Sequence, residues 1–192
     1  IRSHGGGRTA GGTQLHFDLR ATGAHLAIGD PVDEILDAIG SNTAGFFAKL
    51  TGDLRAELGL SRGIGVRAEL RWQLASKNLY SSERFSLRGG DGVRAYEPGA
   101  ASGDSGVLLR VEGAGPLGSA GLRWALFADL GWARDQMIPG APEESSRTLA
   151  GVGAGISYSM AGRFEVRGEY AAPVGTDAGA PGRWRWQAVY RW

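Results

Sequence analysis

Apolar and polar side chains alternate with a period of two along most of this chain. In RWRWQAVYRW at its end, Trp184, Trp186, Ala188, Tyr190 and Trp192 fall on one side of an extended strand, and Arg185, Gln187, Val189 and Arg191 on the other. The same alternation sets Phe164, Val166, Gly168 and Tyr170 against Arg163, Glu165, Arg167 and Glu169, and it sets Leu122, Trp124, Leu126, Ala128, Leu130 and Trp132 against Arg123, Phe127 and Asp129. Upstream, Val66, Ala68, Leu70 and Trp72 oppose Arg67, Glu69, Arg71 and Gln73. Phe46, Ala48, Leu50 and Leu54 oppose Lys49, Asp53 and Arg55, and Leu15, Phe17 and Leu19 oppose His16, Asp18 and Arg20.

With two weaker runs added, the pattern predicts about eight strands, near residues 13–28, 45–58, 63–75, 106–113, 121–134, 148–160, 163–171 and 183–192. A soluble antiparallel sandwich or a lipocalin-like barrel also alternates. Here the aromatics gather toward strand ends on the apolar face, and the other face carries Arg and Glu in alternating sign. That is the pattern of an antiparallel transmembrane β-barrel with a wet lumen. Connection lengths alternate too: long (29–45), short (GLSRG), long (76–105), shorter (AGPLGSA), long (DQMIPGAPEESSR), tight (MAG) and medium (PVGTDAGAPG). If the last strand runs down to the periplasm, every long connection lies outside the cell. One of them should hold a short surface helix, because in DPVDEILDAIG Asp30 can cap, Pro31 suits the first turn, Val32, Ile35, Leu36 and Ile39 form a stripe, and Gly40 can end it.

The 192 residues are one domain's worth of chain, and 21 basic against 20 acidic residues, with the signs dispersed, remove the basic face expected of a nucleic-acid partner. With no cysteine and three histidines at unrelated positions, neither a disulfide framework nor a metal site is expected, and no cofactor motif is present. No apolar run approaches the roughly 18 residues of a transmembrane helix, whereas barrel strands need only about 9–11 alternating residues.

The candidate chemistry is thin. GDSG (103–106) is similar to the nucleophile loop of chymotrypsin-like proteases, but a serine there needs a histidine base and a carboxylate behind it. None of the three histidines has the matching context, and Val107 follows the motif. The carboxylate pairs Glu165/Glu169 and Asp53/Glu57 are interleaved with arginines on one face, the arrangement of a salt-bridged wall. GGDGVRAY offers a phosphate cradle only if a helix follows, and none is predicted.

The segment SSERFSLRGGDGVRAYEPGAASGDSG, followed by VLLRVE, resembles the long inserted loop of two-partner secretion transporters of the haemolysin-activator (TpsB) type, which are outer-membrane barrels related to the assembly-factor superfamily. The resemblance implies a loop (76–105) folded back into the barrel, with Gly89, Gly90, Gly92, Val93, Arg94, Ala95, Tyr96, Gly103 and Asp104 as its motif. It also implies that Arg94 meets Asp129 in the wall motif Phe127, Asp129, Gly131, where the alternation independently puts Asp129 on the lumen face. Gly151, Gly153 and Gly155 on the next strand should leave a groove for the loop. Tyr190 and Trp192 resemble the C-terminal signal read by the barrel-assembly machinery. The family's glutamate after the loop glycine is Ala100 here, and the Glu97-Pro98 order differs.

Members of this family carry periplasmic domains and a barrel of roughly sixteen strands. The chain is therefore expected to be the C-terminal half of a larger translocator, embedded in outer-membrane lipid and exporting a secreted protein partner of haemolysin or adhesin type. Two other readings remain: a self-contained small outer-membrane barrel with a structural or adhesive role, and, least favoured, a serine hydrolase.

Overall fold

A computed structural model describes residues 1–8, 12–87, 92–97, 101–118, 121–136, 146–160, 163–175 and 180–191. Its long strands are β1 (Arg2–Arg8), β2 (Gln14–Leu26), β3 (Gly45–Gly59), β4 (Gly65–Ala75), β7 (Ser105–Pro116), β8 (Leu122–Arg134), β9 (Ser146–Met160), β10 (Phe164–Val174) and β11 (Arg183–Tyr190). They form one nine-stranded sheet in the order β1-β2-β3-β4-β7-β8-β9-β10-β11, antiparallel throughout. Between β4 and β7 the chain leaves the sheet and returns through a small ladder of β5 (Phe85–Ser86) with β6 (Ser102–Gly103). Among the described residues β1 and β11 do not pair with each other, so the sheet is open.

Periodicity did not predict β1. Its sequence, RSHGGGR, has low strand propensity and no apolar alternation, and it becomes a strand by registering on β2 from Arg2↔Arg20 to Arg8↔Gln14.

The apolar face of the sheet is bare: Phe46, Leu126, Trp184, Trp186 and Tyr190 are each more than half exposed. Several of its aromatics lie flat on a glycine of the next strand. A β-carbon on Gly52 would sit 2.4 Å from Trp72, one on Gly168 2.4 Å from Trp186, and one on Gly5 2.7 Å from Phe17. Such aromatic-over-glycine pairs pin register, since a slip of one residue would turn every side chain to the wrong face.

Burial is instead on the inner face, beneath the inserted loop. Phe85, Leu87, Val93 and Ala101 from the loop pack on Leu108, Ala133 and Leu149 from β7, β8 and β9. The sheet curls around this cluster. In a flat sheet β7 and β10 would lie about 14 Å apart, yet Glu112 on β7 and Arg167 on β10 form an ion pair at 2.9 Å.

The predicted helix is present as α1 (Pro31–Ile39) in the β2–β3 connection. Asp30 caps it by accepting from the N–H groups of Val32 at 2.7 Å and Asp33 at 3.3 Å, and the Gly40 N–H closes it on Leu36 and Asp37. Its stripe of Val32, Ile35, Leu36 and Ile39 is exposed. Asp37 ties the helix to the chain that follows, accepting from the Thr43 N–H and hydroxyl and from the Ala44 N–H. Burial would raise the Asp37 pKa, but those donors, with Lys77 nearby, hold its carboxyl below the usual value.

Candidate functional site

The loop between β4 and β7 is fastened at its stem before its tip reaches the wall. Asp104 is 2% exposed, and its carboxylate accepts from the backbone N–H of Leu79 at 2.8 Å and of Gln136 at 2.7 Å. One carboxylate thus joins the outgoing limb of the loop to the end of β8. Gln73 donates to the carbonyls of Glu83 and Asp104, and Arg84 reaches both the Ser102 carbonyl and Asp135. Gly103 is required by space, because a β-carbon there would stand 2.5 Å from the Arg134 carbonyl oxygen.

At the tip, a turn closed by the Tyr96 N–H on the Val93 carbonyl at 3.1 Å points Arg94 at the wall. The Arg94 backbone N–H and Nε each donate to Asp129 Oδ2 at 2.9 Å, and Nη2 donates to Oδ1 at 2.8 Å. Nη1 donates to Glu112 Oε2 at 2.6 Å. The guanidinium carbon lies 3.5 Å from the centroid of the Phe127 ring. The side chain of Arg94 is 4% exposed and that of Asp129 0%. A bidentate, charge-assisted pair sealed in this way, with an aromatic face beneath it, fixes orientation as well as position. Removing either partner would leave a buried charge.

The wall is shaped for the tip. A β-carbon on Gly131 would meet Leu87 at 2.8 Å and Val93 at 2.9 Å, and one on Gly151 would meet the Ala95 methyl at 2.7 Å. The expected glycine groove, however, is only partly a loop groove. Gly153 receives the Phe127 ring, 2.3 Å from where its β-carbon would be, and Gly155 faces the stem of Glu169 at 3.1 Å. Both neighbours stand directly across the ladder, so side chains of the wall itself fill two of the three positions. Gly92, Val93 and Ala95 are buried and Tyr96 half-buried, while Gly89, Gly90 and Ala100 lie outside the described residues.

Around the tip, the charges form a continuous series. Arg185 pairs with Glu169 at 3.5 Å, Glu169 with Arg167 at 3.0 Å, and Arg167 with Glu112 at 2.9 Å. Beyond the Arg94–Asp129 pair, Arg110 lies 3.8 Å from Asp129 and 3.7 Å from Glu69, which also meets Arg55 at 3.4 Å. A cavity of about 450 Å³ opens beside this series, lined by Arg67, Arg94, Glu112, Arg167 and Glu169 among others.

Glu112, Gln73 and Gln136 are site residues that motif reading did not reach. Only the inward phase of Glu112 beside Arg110 signalled it; the two glutamines act through contacts distant in sequence. Ser105 of the GDSG motif is 1% exposed, and its hydroxyl accepts from the Ala75 N–H at 3.0 Å. It is part of the loop stem. Glu165 and Glu57 pair with Arg191 and Arg67 as wall residues. Tyr190 ends β11 with its ring exposed on the apolar face, and Trp192 lies outside the described residues.

A family model described as haemolysin secretion/activation protein ShlB/FhaC/HecB matches residues 20–158. Heme/hemopexin transporter proteins HuxB of Haemophilus influenzae strains 86-028NP and ATCC 51907 are each 32% identical over 122 residues, covering 60% of this chain and 21% of their own length. The solved structure of CdiB from Escherichia coli superimposes with a TM-score of 0.78 at 20% identity, over 97% of this chain and 35% of that one. The chain thus spans about a fifth of the length of these curated relatives and about a third of CdiB. With its open antiparallel sheet, bare apolar face and arginine-tipped inserted loop, the chain belongs to the haemolysin secretion/activation protein family of outer-membrane β-barrels.

Proposed function

We propose that this chain forms part of the wall, and the plugging loop, of an outer-membrane translocator that exports a secreted protein partner of haemolysin or adhesin type. The observation that carries this reading is the Arg94–Asp129 pair. A loop whose tip is held inside a curled, charge-lined wall occupies the path that a polypeptide would take, and one ion pair decides whether it stays. The open edges at β1 and β11 fit a barrel completed by further strands rather than a closed small one, whose interior its own side chains would fill. Transport of this kind is binding and conduction, and the pairing of wall carboxylates with arginines suits a surface that must not grip an unfolded chain.

The test is secretion of the partner by the complete transporter carrying Arg94→Ala. The loop loses its anchor, so partner in the medium should change at least about tenfold while the barrel still inserts; a tenfold change corresponds to roughly 1.4 kcal/mol of altered balance. Unchanged secretion with unchanged loop accessibility would overturn the reading. Tyr190 and Trp192 would serve as the signal to the barrel-assembly machinery, and Tyr190→Ser should then lower the amount of inserted barrel without touching the loop.

A further inference from the structure

Arg110 stands directly opposite Asp129 across the β7–β8 ladder and opposite Glu69 across the β4–β7 ladder. Its position is odd for an arginine between two carboxylates. Nε is 3.8 Å from Asp129 Oδ1 and Nη1 3.7 Å from Glu69 Oε2, distances that allow attraction but no hydrogen bond. The Nε atom is buried and has no hydrogen-bond acceptor.

The cause is visible at Asp129. Arg94 donates to both of its oxygens, from the backbone N–H, Nε and Nη2, and so holds the lone pairs that Arg110 would otherwise use. The arginine of the wall is outcompeted by the arginine of the loop.

Undocking the loop would expose the difference. With Arg94 gone, Asp129 would be a carboxylate inside the wall without a donor, a strongly unfavourable state if nothing replaces the partner. Arg110 is in register to replace it, because a movement of about 1 Å brings Nε to charge-assisted hydrogen-bond distance. Glu112, the other acceptor of Arg94, already has Arg167 at 2.9 Å, and Glu69 keeps Arg55 at 3.4 Å when Arg110 turns away. Each carboxylate that the loop tip or Arg110 leaves behind has a second cation within reach.

We propose that Arg110 is a positioning residue that takes over Asp129 when the loop tip leaves, so that undocking exchanges one ion pair for another and Arg110 sets the balance between plugged and open states. This rests on the reading of the loop as a plug. It has a counterintuitive sign: neutralising a lumen arginine should tighten the plug. The docked state loses a like charge beside Arg94, and the released state loses the partner of Asp129.

The experiment uses Val93→Cys as a reporter, since Val93 is 0% exposed when docked and the chain contains no cysteine of its own. Reaction of the reporter with a soluble maleimide is followed in outer membranes holding the complete transporter, where the rate tracks the released population. Arg94→Ala should speed labelling. Arg110→Gln should slow it on the order of tenfold, and Arg110→Lys, which keeps the charge without the fork, should lie between Gln and the parent. If Arg94→Ala speeds labelling while both Arg110 variants leave it unchanged or speed it, as a purely structural role demands, the exchange is wrong and the plug reading stands. If Arg94→Ala has no effect, the plug reading itself falls. Resistance of the assembled barrel to unfolding in cold detergent identifies a variant that fails to fold, and the lysine variant, which preserves the charge, then carries the test alone.

Discussion

Two stretches of one inner wall carry the same alternation of arginine and carboxylate and hold it under different conditions. On β1 to β4 the pairs are open to water: Arg2–Asp18 has side chains 59% and 25% exposed, and Arg67–Glu57 64% and 47%. Under the loop, Asp129 of β8 and Glu112 of β7 take Arg94 from the loop tip: the Arg94–Asp129 side chains are 4% and 0% exposed, and Glu112, between Arg94 and Arg167, is 19% exposed. Water screens the first group, so each pair there contributes at most about 1 kcal/mol. In the second group Arg94 and Asp129 are shut away from water and have only neighbouring charges to meet. A single grammar of strand residues thus makes a solvated wall in one place and a lock in another, and what separates them is the loop lying across one and not the other.

The comparison breaks most easily at Asp129. Asp129→Ala strands the Arg94 guanidinium, and urea unfolding of the assembled barrel should show a loss of about 3–5 kcal/mol, together with loss of the loop's protease protection. Gly151→Val attacks the same lock through space: its side chain would collide with the Ala95 methyl, and a loss of about 1–3 kcal/mol is expected in the same assay. Glu57→Ala is the matched change on the open stretch and should move stability by less than about 1 kcal/mol and leave loop protection intact. An effect as large as that of Asp129→Ala would erase the distinction.

The smallest effect concerns the α1 connection, where hydrogen exchange of the Thr43 and Ala44 amides reads the Asp37 tie. Its carboxyl lies below the ordinary value of 3.8 in the fold, so its contribution is complete above that value and is lost as pH falls through the lowered one. Protection should therefore be flat above about pH 5 and decline only in stronger acid. A decline already at neutral pH would assign the tie to another group.

Much of this was legible along the chain. Period-two alternation placed Asp129 on the inner face without any family in view, and Asp30-Pro31 with Gly40 bounded the helix. The strand β1 was illegible because its glycines carry no pattern, and the neighbouring strand supplies its order. The neighbours of Gly153 and Gly155 are hidden from the sequence for a related reason: a glycine announces that something comes close, but not what. Here it was Phe127 and Glu169 from adjacent strands rather than the loop. Glu112 lies in a run, 106–113, that the alternation marks only as a weaker strand, and its meeting with Arg94 depends on how far the loop descends.

The sequence by itself determined which side chains face lipid and which face inward, because a strand's geometry turns successive residues to opposite sides whatever surrounds it. A long glycine-rich loop between two strands was legible in the same way, and its resemblance to the inserted loop of the family implied that Arg94 stands at its tip. Only the tertiary structure decided that Arg94 meets Glu112 as well as Asp129 and that Arg110 is left without a hydrogen bond. It alone decided which ion pair of the wall is sealed from water. Those outcomes depend on curvature and on side chains brought together from strands far apart in the chain, and no local pattern encodes the distance between them.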